Sequence, residues 1–192
     1  MMQPKYWNGE ILLANLLRVT VQTPPATKVK ILNWDKPLAQ TLKLNVDAAF
    51  KAGKSGYGGI IRDHNGDLYY AVGQYAENDS PLEAELDALL FYLQVCKAEG
   101  LYGIQVEVDS SMMVKMTTHM MAHWRLHNKL AHVLSIFKYL GATIDHIYRE
   151  KNLPADWIAG NSMRKEQNFV WDTATKDQAM QRLIRLDKSG LP

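Results

Sequence analysis

Residues 42–72 have the sequence LKLNVDAAFKAGKSGYGGIIRDHNGDLYYAV, in which three short segments are typical of β-strands. Leu42–Ala48 alternates apolar and polar residues, which is the period of a strand with one buried face. Gly58–Asp63 and Leu68–Val72 lie on either side of the Asn65-Gly66 pair, which favours a tight hairpin turn. These residues therefore predict three consecutive antiparallel strands.

Helices and two further strands are predicted downstream of this meander. Ser80, followed by Pro81 and Glu83, has the form of a helix N-terminus, and apolar residues at helical spacing continue to about Ala98. The same patterns predict five more elements, in the order strand, helix, helix, strand, helix: Ile104–Asp109, Ser110–Ala122, Asn128–Leu140, Ala142–Tyr148 and Pro154–Met163. The order βββαβααβα predicts an α/β fold with a mixed five-stranded sheet, its first three strands antiparallel, flanked by helices.

Three zones follow from these patterns. Residues 1–40 are rich in proline near their C-terminal end and are interpreted as an N-terminal extension and linker. Residues 41–165 form the predicted domain. Residues 166–192 are interpreted as a C-terminal extension, whose apolar residues among charges are compatible with a helix.

Composition restricts the class of protein. A hydrophobic content of 47% and a net charge of only +2 are typical of a globular chain and exclude a strongly basic, histone-like binder. The single cysteine, Cys96, has no partner for an internal disulfide, so we expect an intracellular protein of the cytoplasm or nucleus. No run of about 20 apolar residues predicts a membrane span.

Four acidic residues stand where predicted elements begin or end. Asp47 and Asp109 follow buried positions of the first and fourth strands, Glu85 lies early in the first helix, and Asp156 opens the last helix. If the two strands are neighbours, their carboxylates lie side by side, and such oxygen-rich clusters suit hard divalent cations. Each acid also has an ordinary interpretation as a helix cap or a solvated charge, and spacing alone does not decide between them.

Four motifs stand in order along the chain: an opening hairpin with Asn45–Phe50 and Gly58–Asp63, then Ala84–Leu89, Val106–Ser110 and His146–Ala159. Together they resemble type 1 ribonuclease H-like domains, most closely the reverse-transcriptase-associated form of plant retrotransposon-derived polyproteins. The resemblance covers about Leu42 to Met163.

The resemblance implies endonucleolytic hydrolysis of the RNA strand of RNA–DNA hybrids by a two-metal-ion mechanism. The catalytic and metal-binding acids that it implies are Asp47, Glu85, Asp109 and Asp156. Two Mg²⁺ ions, for which Mn²⁺ can substitute, are the implied cofactors, and Asp47 is implied to bridge both. The second of the four acids is assigned to Glu85 rather than to its near neighbour Glu83, because Glu85 directly precedes the leucine of the motif.

Two departures from the family pattern lower the expected turnover. Ala48 stands where many members have glycine, and residues 149–152 are too short for the histidine-bearing loop of bacterial members. His146 is interpreted as structural. An alternative is therefore a domesticated, weakly active or inactive module on the same fold that binds nucleic acid or a protein. A third interpretation, with acids only as caps and surface charges, predicts no metal dependence.

Contacts with an RNA–DNA hybrid are expected from five residues near the acids or in a basic segment. Residues 124–129 combine an aromatic ring with basic side chains, a composition suited to phosphate contacts, although an ordinary helix connection fits equally well. The candidate substrate-binding residues are Ser80, Ser111, Trp124, Arg125 and Lys129. The oligomeric state is left open.

Overall fold

The computed structural model describes residues 33–120, 124–172 and 178–189. The described strands are β1 Lys43–Lys51, β2 Lys54–Arg62, β3 Leu68–Glu77, β4 Gln105–Val108, β5 Thr143–His146 and β6 Phe169–Asp172. The described helices are α1 Pro81–Ala98, α2 Ser111–His119, α3 His127–Leu140, α4 Leu153–Lys165 and α5 Gln178–Ser189. Most of the predicted N-terminal extension, residues 1–32, lies outside the described residues, as does the predicted end of the second helix, residues 121–122.

The strands form one mixed sheet in the order β5-β4-β1-β2-β3-β6. The pairs β1–β2 and β2–β3 are antiparallel, whereas β4 is parallel to both β1 and β5. This arrangement confirms the predicted α/β class, the antiparallel meander and the neighbouring first and fourth strands.

The predicted count of five strands is wrong, because a sixth strand comes from the predicted C-terminal extension. Phe169–Asp172 pairs antiparallel with β3 along its free edge. Trp171 is buried and Val170 is 54% exposed, so the strand has the expected alternation. Four residues contain only two such periods, which is too short to distinguish a strand from a helical turn by pattern. The predicted helix in this extension is present as α5.

Helices cover both faces of the sheet. Leu44 and Val46 of β1 belong to an apolar cluster that includes buried residues of α1, α2 and α3. Ile60 and Ala71 belong to a second cluster with buried residues of α4, α5 and β6. None of the helices in the described part of the chain has the length and apolar content needed to cross a membrane. Cys96 is a free, buried cysteine in α1, and burial raises the pKa of its thiol to about 12.

The N-terminus of α1 follows from its sequence. Ser80 has extended backbone angles, and its Oγ accepts a hydrogen bond from the amide of Glu83 at 3.2 Å, with Pro81 in the first turn. The Glu83 carboxylate accepts a hydrogen bond from the amide of Asp79 at 3.1 Å. The serine and glutamate therefore satisfy two amide groups at the point where the helix begins.

The close approach of α4 to β2 depends on a glycine. A Cβ atom at Gly58 would lie 2.1 Å from the Ala155 carbonyl oxygen and 2.4 Å from the Ala159 amide nitrogen. Both atoms belong to the α4 backbone, so a side chain at this position would force the helix away from the sheet. Gly58 therefore sets the distance between α4 and the sheet, and with it the position of Asp156 in the first turn of α4.

We expect Gly58→Ala to destabilise the fold by about 2 to 3 kcal/mol. The added methyl group would meet backbone atoms of α4, which cannot move aside as a flexible side chain can. Urea unfolding followed by circular dichroism measures the change. Gly160→Ala is the matched control, since it adds the same methyl group within α4 and meets only the flexible Arg164 side chain at 3.1 Å. The control is expected to be neutral or to stabilise by about 0.5 to 1 kcal/mol, and equal effects of the two changes would contradict the argument.

A buried arginine joins both predicted extensions to the sheet. The Arg62 side chain is fully buried, donates to Asp187 Oδ2 of α5 at 2.7 Å and donates to Asn45 Oδ1 at 2.8 Å. Its guanidinium carbon lies 3.4 Å from the centroid of the buried Trp34 ring. Residues from before position 41 and after position 165 thus contribute to the interior of the structure.

Candidate active site

The parallel pairing of β1 and β4 brings two acids to the same edge of the sheet. Val46 pairs with Val108, and the chain continues from these residues into Asp47 and Asp109. A third acid, Glu85, lies in the first turns of α1, which packs on β1. The fourth, Asp156, lies in the first turn of α4.

These four carboxylates line one open cavity of about 590 Å³. The other residues that line it are Ala48, Ala49, Phe50, Lys51, Ser110, Arg149 and Met163. Glu85 lines the cavity, whereas Glu83 binds Lys129, with 2.6 Å between Oε1 and Nζ. Side chains from four separate elements, β1, β4, α1 and α4, therefore meet at one place.

Burial and mutual repulsion raise the pKa values of Asp47, Asp109 and Glu85. Burial, followed by the charges of Asp109 and Asp156, raises the pKa of Asp47 from 3.8 to about 8. Burial also raises the pKa of Asp109, an effect that the Arg149 charge opposes. The pKa of Glu85 is raised by burial and by Asp109, against a hydrogen bond with Ser110. The ionised cluster therefore generates a strongly negative potential that a cation would relieve.

Arg149 is the residue of this site that the sequence analysis missed. Its Nη2 donates to Asp156 Oδ1 at 2.7 Å, and its charge also acts on Asp47 and Asp109. The side chain is 73% exposed, so the guanidinium compensates the acids from the solvent side. The signal in the sequence is a basic residue in the short 3-10 turn Arg149–Lys151, just before the helix that carries Asp156.

Asn152 ties this turn to the strand that carries Asp47. Its side chain is buried, and Nδ2 donates to the Val46 carbonyl oxygen at 2.9 Å. The Asn152 carbonyl in turn accepts from the amide of Asp156 at 3.0 Å. His146 contacts the other strand, with Nε2 3.1 Å from the Asp109 carbonyl oxygen. The backbones of the acid-bearing segments are thus hydrogen-bonded by two side chains.

The predicted serine contacts have different positions relative to the acids. Ser80 caps α1, and Ser111 is the exposed first residue of α2. The serine that lines the cavity is Ser110, which caps α2 by accepting from the Met113 amide at 3.4 Å and hydrogen-bonds Glu85. A role in substrate binding stays a prediction for Ser80 and Ser111.

The predicted basic segment lies at the start of α3. Trp124 is 74% exposed, and the guanidinium of Arg125 lies 5.3 Å from its ring centroid. Lys129 is bound to two carboxylates of α1, Glu83 at 2.6 Å and Asp87 at 2.7 Å. Lys129 therefore joins α3 to α1, and phosphate contacts by Trp124, Arg125 and Lys129 stay a prediction.

The donor set is chemically suited to a hard divalent cation. In the ranges that the structure describes, no group of three or more His, Cys, Asp or Glu side chains is arranged to hold a metal ion. Four carboxylates nevertheless line the cavity, and the repulsion that raises the pKa of Asp47 is the kind that Mg²⁺ or Mn²⁺ relieves. The four carboxylates thus suit such ions chemically. The Arg149 guanidinium lines the same cavity.

Three solved structures with a similar fold are ribonucleases H. RNase H1 from the halophilic archaeon Halobacterium salinarum has a TM-score of 0.61 at 20% identity, over 66% of this chain and 99% of that protein. LC11-RNase H1, solved in complex with an RNA/DNA hybrid, has a TM-score of 0.61 at 21% identity, over 66% and 99%. The N-terminal RNase H domain of a Mycobacterium tuberculosis protein has a TM-score of 0.60 at 18% identity, over 65% and 94%. The chain therefore shares the fold of these ribonucleases H.

A family model described as reverse transcriptase-like matches residues 45–162. The chain belongs to this family. The matched range includes all four acids and lies within residues 41–165, the range predicted for the domain. No curated protein matches the sequence.

Proposed function

We propose that this chain is an endonuclease that hydrolyses the RNA strand of RNA–DNA hybrids with two Mg²⁺ ions, which Mn²⁺ can replace. The observation that carries the proposal is the convergence of four carboxylates, from four elements, on one open cavity. A ribonuclease H-like fold and family membership support it. Within the family, we propose a plant retrotransposon-derived origin, which rests on the sequence motifs alone.

In this proposal the four acids hold the ions, and Asp47 is central because both neighbouring acids act on it. When bound, the ions would activate a water and stabilise the leaving oxygen of a phosphodiester. Arg149 and Lys51 border the same cavity and supply positive charge for a phosphate backbone. No serine, cysteine or histidine nucleophile is required.

A second candidate function has a specific observation in its favour. Arg149 forms an ion pair with Asp156, so a protein cation already compensates one of the four acids. A module that binds a hybrid or a protein without cutting it needs no more than this compensation. The two candidates differ in one property, which is a requirement for a divalent metal.

The test is cleavage of an RNA–DNA hybrid with a label on each strand, in Mg²⁺ or in Mn²⁺, with EDTA as the control. The endonuclease proposal expects cuts in the RNA strand alone, and only when metal is present. Retained hybrid binding without cleavage in either metal would reject this proposal in favour of the binding module.

We expect Arg149→Met to lower the metal concentration at half-maximal cleavage by roughly threefold to tenfold. The reason is that removing a cation from the acid cluster removes its repulsion toward a divalent ion. Titrations of cleavage with Mn²⁺ measure the change. Arg164→Met is the control, because Arg164 is exposed near the end of α4 and does not line the cavity. An unchanged or increased metal requirement in Arg149→Met would contradict this account.

A further inference from the structure

The acid of β4, Glu107, lies outside the cavity and forms a buried network with β1. Glu107 is 7% exposed, and its carboxylate accepts three hydrogen bonds. Lys43 donates to Oε1 at 2.8 Å, whereas Asn45 and the Trp34 indole each donate to Oε2 at 2.9 Å. Two of the three donors belong to the strand that carries Asp47.

This network lies on the same face of the same two strands as the acid pair. Asn45 and Glu107 are partners in the parallel register, and Asp47 and Asp109 follow each of them by two residues. Side chains at positions i and i+2 of a strand point to the same face. The Asn45–Glu107 bond therefore lies within the ladder, and Asp47 and Asp109 directly follow its last pair, Val46 with Val108.

The apolar residues of these strands cannot fix the register by themselves. Leu44 and Val46 are buried on the opposite face of β1, and Val106 and Val108 are buried on β4. If β4 were shifted by two residues relative to β1, every apolar side chain would stay on its face and would pair with a different aliphatic residue. Hydrophobic burial would therefore tolerate a register in which the acids no longer adjoin.

The polar residues distinguish these registers. A slip in one direction would put Glu107 opposite Asp47, which sets two carboxylates against each other. A slip in the other direction would put Asp109 opposite Asn45, two residues away from Asp47. Only the observed register joins Glu107 to both Lys43 and Asn45 and leaves Asp109 beside Asp47.

We propose that Glu107 is a positioning residue for the acid pair: by bonding Asn45 across the strands, it fixes where Asp109 stands relative to Asp47. The role rests on the proposed nuclease function, because it concerns the metal-binding acids of that function. Partners that orient metal ligands in this way change metal affinity or activity by about 10-fold to 100-fold when removed.

Two matched double variants isolate the acceptor oxygen of Glu107, which binds Asn45 across the strands and also Trp34. Lys43→Met with Glu107→Gln removes both charges but keeps an oxygen that accepts from Asn45 and Trp34. Lys43→Met with Glu107→Met has the same charge and similar volume but has no acceptor. Removing both members of a buried ion pair avoids the isolated charge that a single change would leave, so both chains are expected to fold.

The readouts are the Mn²⁺ concentration at half-maximal hybrid cleavage, the maximal rate, and Mn²⁺ binding without substrate. The methionine variant is expected to need about tenfold more Mn²⁺ and to bind it correspondingly more weakly. The glutamine variant is expected to stay within about twofold of the unaltered chain. Val133→Ala, a change at a fully buried α3 residue, is the control for lost stability, and it should leave Mn²⁺ affinity unchanged.

Equal Mn²⁺ affinity in the two double variants would overturn the positioning role, and so would an equal loss in Val133→Ala. The proposed function itself would be rejected if the unaltered chain neither bound Mn²⁺ nor cut the hybrid. That result would also remove the basis of the positioning role.

Discussion

Asp47→Asn is expected to reduce metal-dependent cleavage of the RNA strand by a factor on the order of 10³. Asp47 is the most strongly perturbed of the four acids, and its pKa is raised by burial and by the charges of Asp109 and Asp156. An amide keeps the shape of the side chain but lacks the charge that draws divalent ions to this position. Single-turnover cleavage of a labelled hybrid measures the loss.

The control for this prediction is Asp145→Asn. Asp145 is an exposed carboxylate on β5 and does not line the cavity, so its change should leave the cleavage rate within about twofold. Hybrid binding by the Asp47 variant, measured by fluorescence anisotropy, is expected to persist. Cleavage that remains within tenfold of the unaltered chain would show that Asp47 is not the central metal-binding acid.

The same substitution has an expected effect on stability when no metal is present. The pKa of Asp47 is about 8 in the folded chain, against 3.8 for an ordinary aspartate. The folded state therefore binds this proton more tightly than the unfolded state, and stability falls as the pH rises from about 4 to about 8. Asp47→Asn removes this loss. In EDTA, the free energies of unfolding of Asp47→Asn and of the unaltered chain should be equal near pH 3. The variant should become the more stable of the two as the pH rises, by on the order of 2 kcal/mol above pH 8.

The parts of the fold that were predictable are those with local patterns. The meander follows from alternation around Asn65-Gly66, and α1 begins at Ser80 because serine, proline and glutamate stand in capping order. The four acids could be named because each adjoins an element whose end was predictable. The convergence of Asp47 with Asp109 needed one non-local fact, the parallel pairing of β1 with β4, which the sequence left as a condition.

The contacts that sequence reasoning missed depend on distant partners. Lys129, whose phosphate contact stays a prediction, also bonds two acids of α1 that lie more than 40 positions away. Arg149 gained its role only when folding brought Asp156, Asp47 and Asp109 around it. Trp34 lies in a proline-rich segment, and the partners that bury it are Glu107 and Arg62. Local composition carries no information on such pairings.

Asp187→Asn is expected to destabilise the fold by about 3 kcal/mol, because it leaves the buried Arg62 cation without its carboxylate. Asn45 and the Trp34 ring would remain as neutral partners, and neither supplies a compensating charge. Urea unfolding of the full chain measures the loss, which corresponds to a fall in Tm of roughly 10 °C. This effect would be large for a residue that lies beyond the range matched by the family.

Two further variants distinguish a buried charge from a general weakness of α5. Asp67→Asn breaks a second ion pair of this helix, with Lys188, whose side chains are 40% and 59% exposed. It should cost less than about 0.5 kcal/mol. Arg62→Met combined with Asp187→Leu removes both buried charges and should recover to within about 1 kcal/mol of the unaltered chain. Equal losses from Asp187→Asn and Asp67→Asn would refute the proposed importance of the Arg62 charge. The expected result would instead make α5 an integral part of the folded domain, because an interior cation of the sheet depends on it.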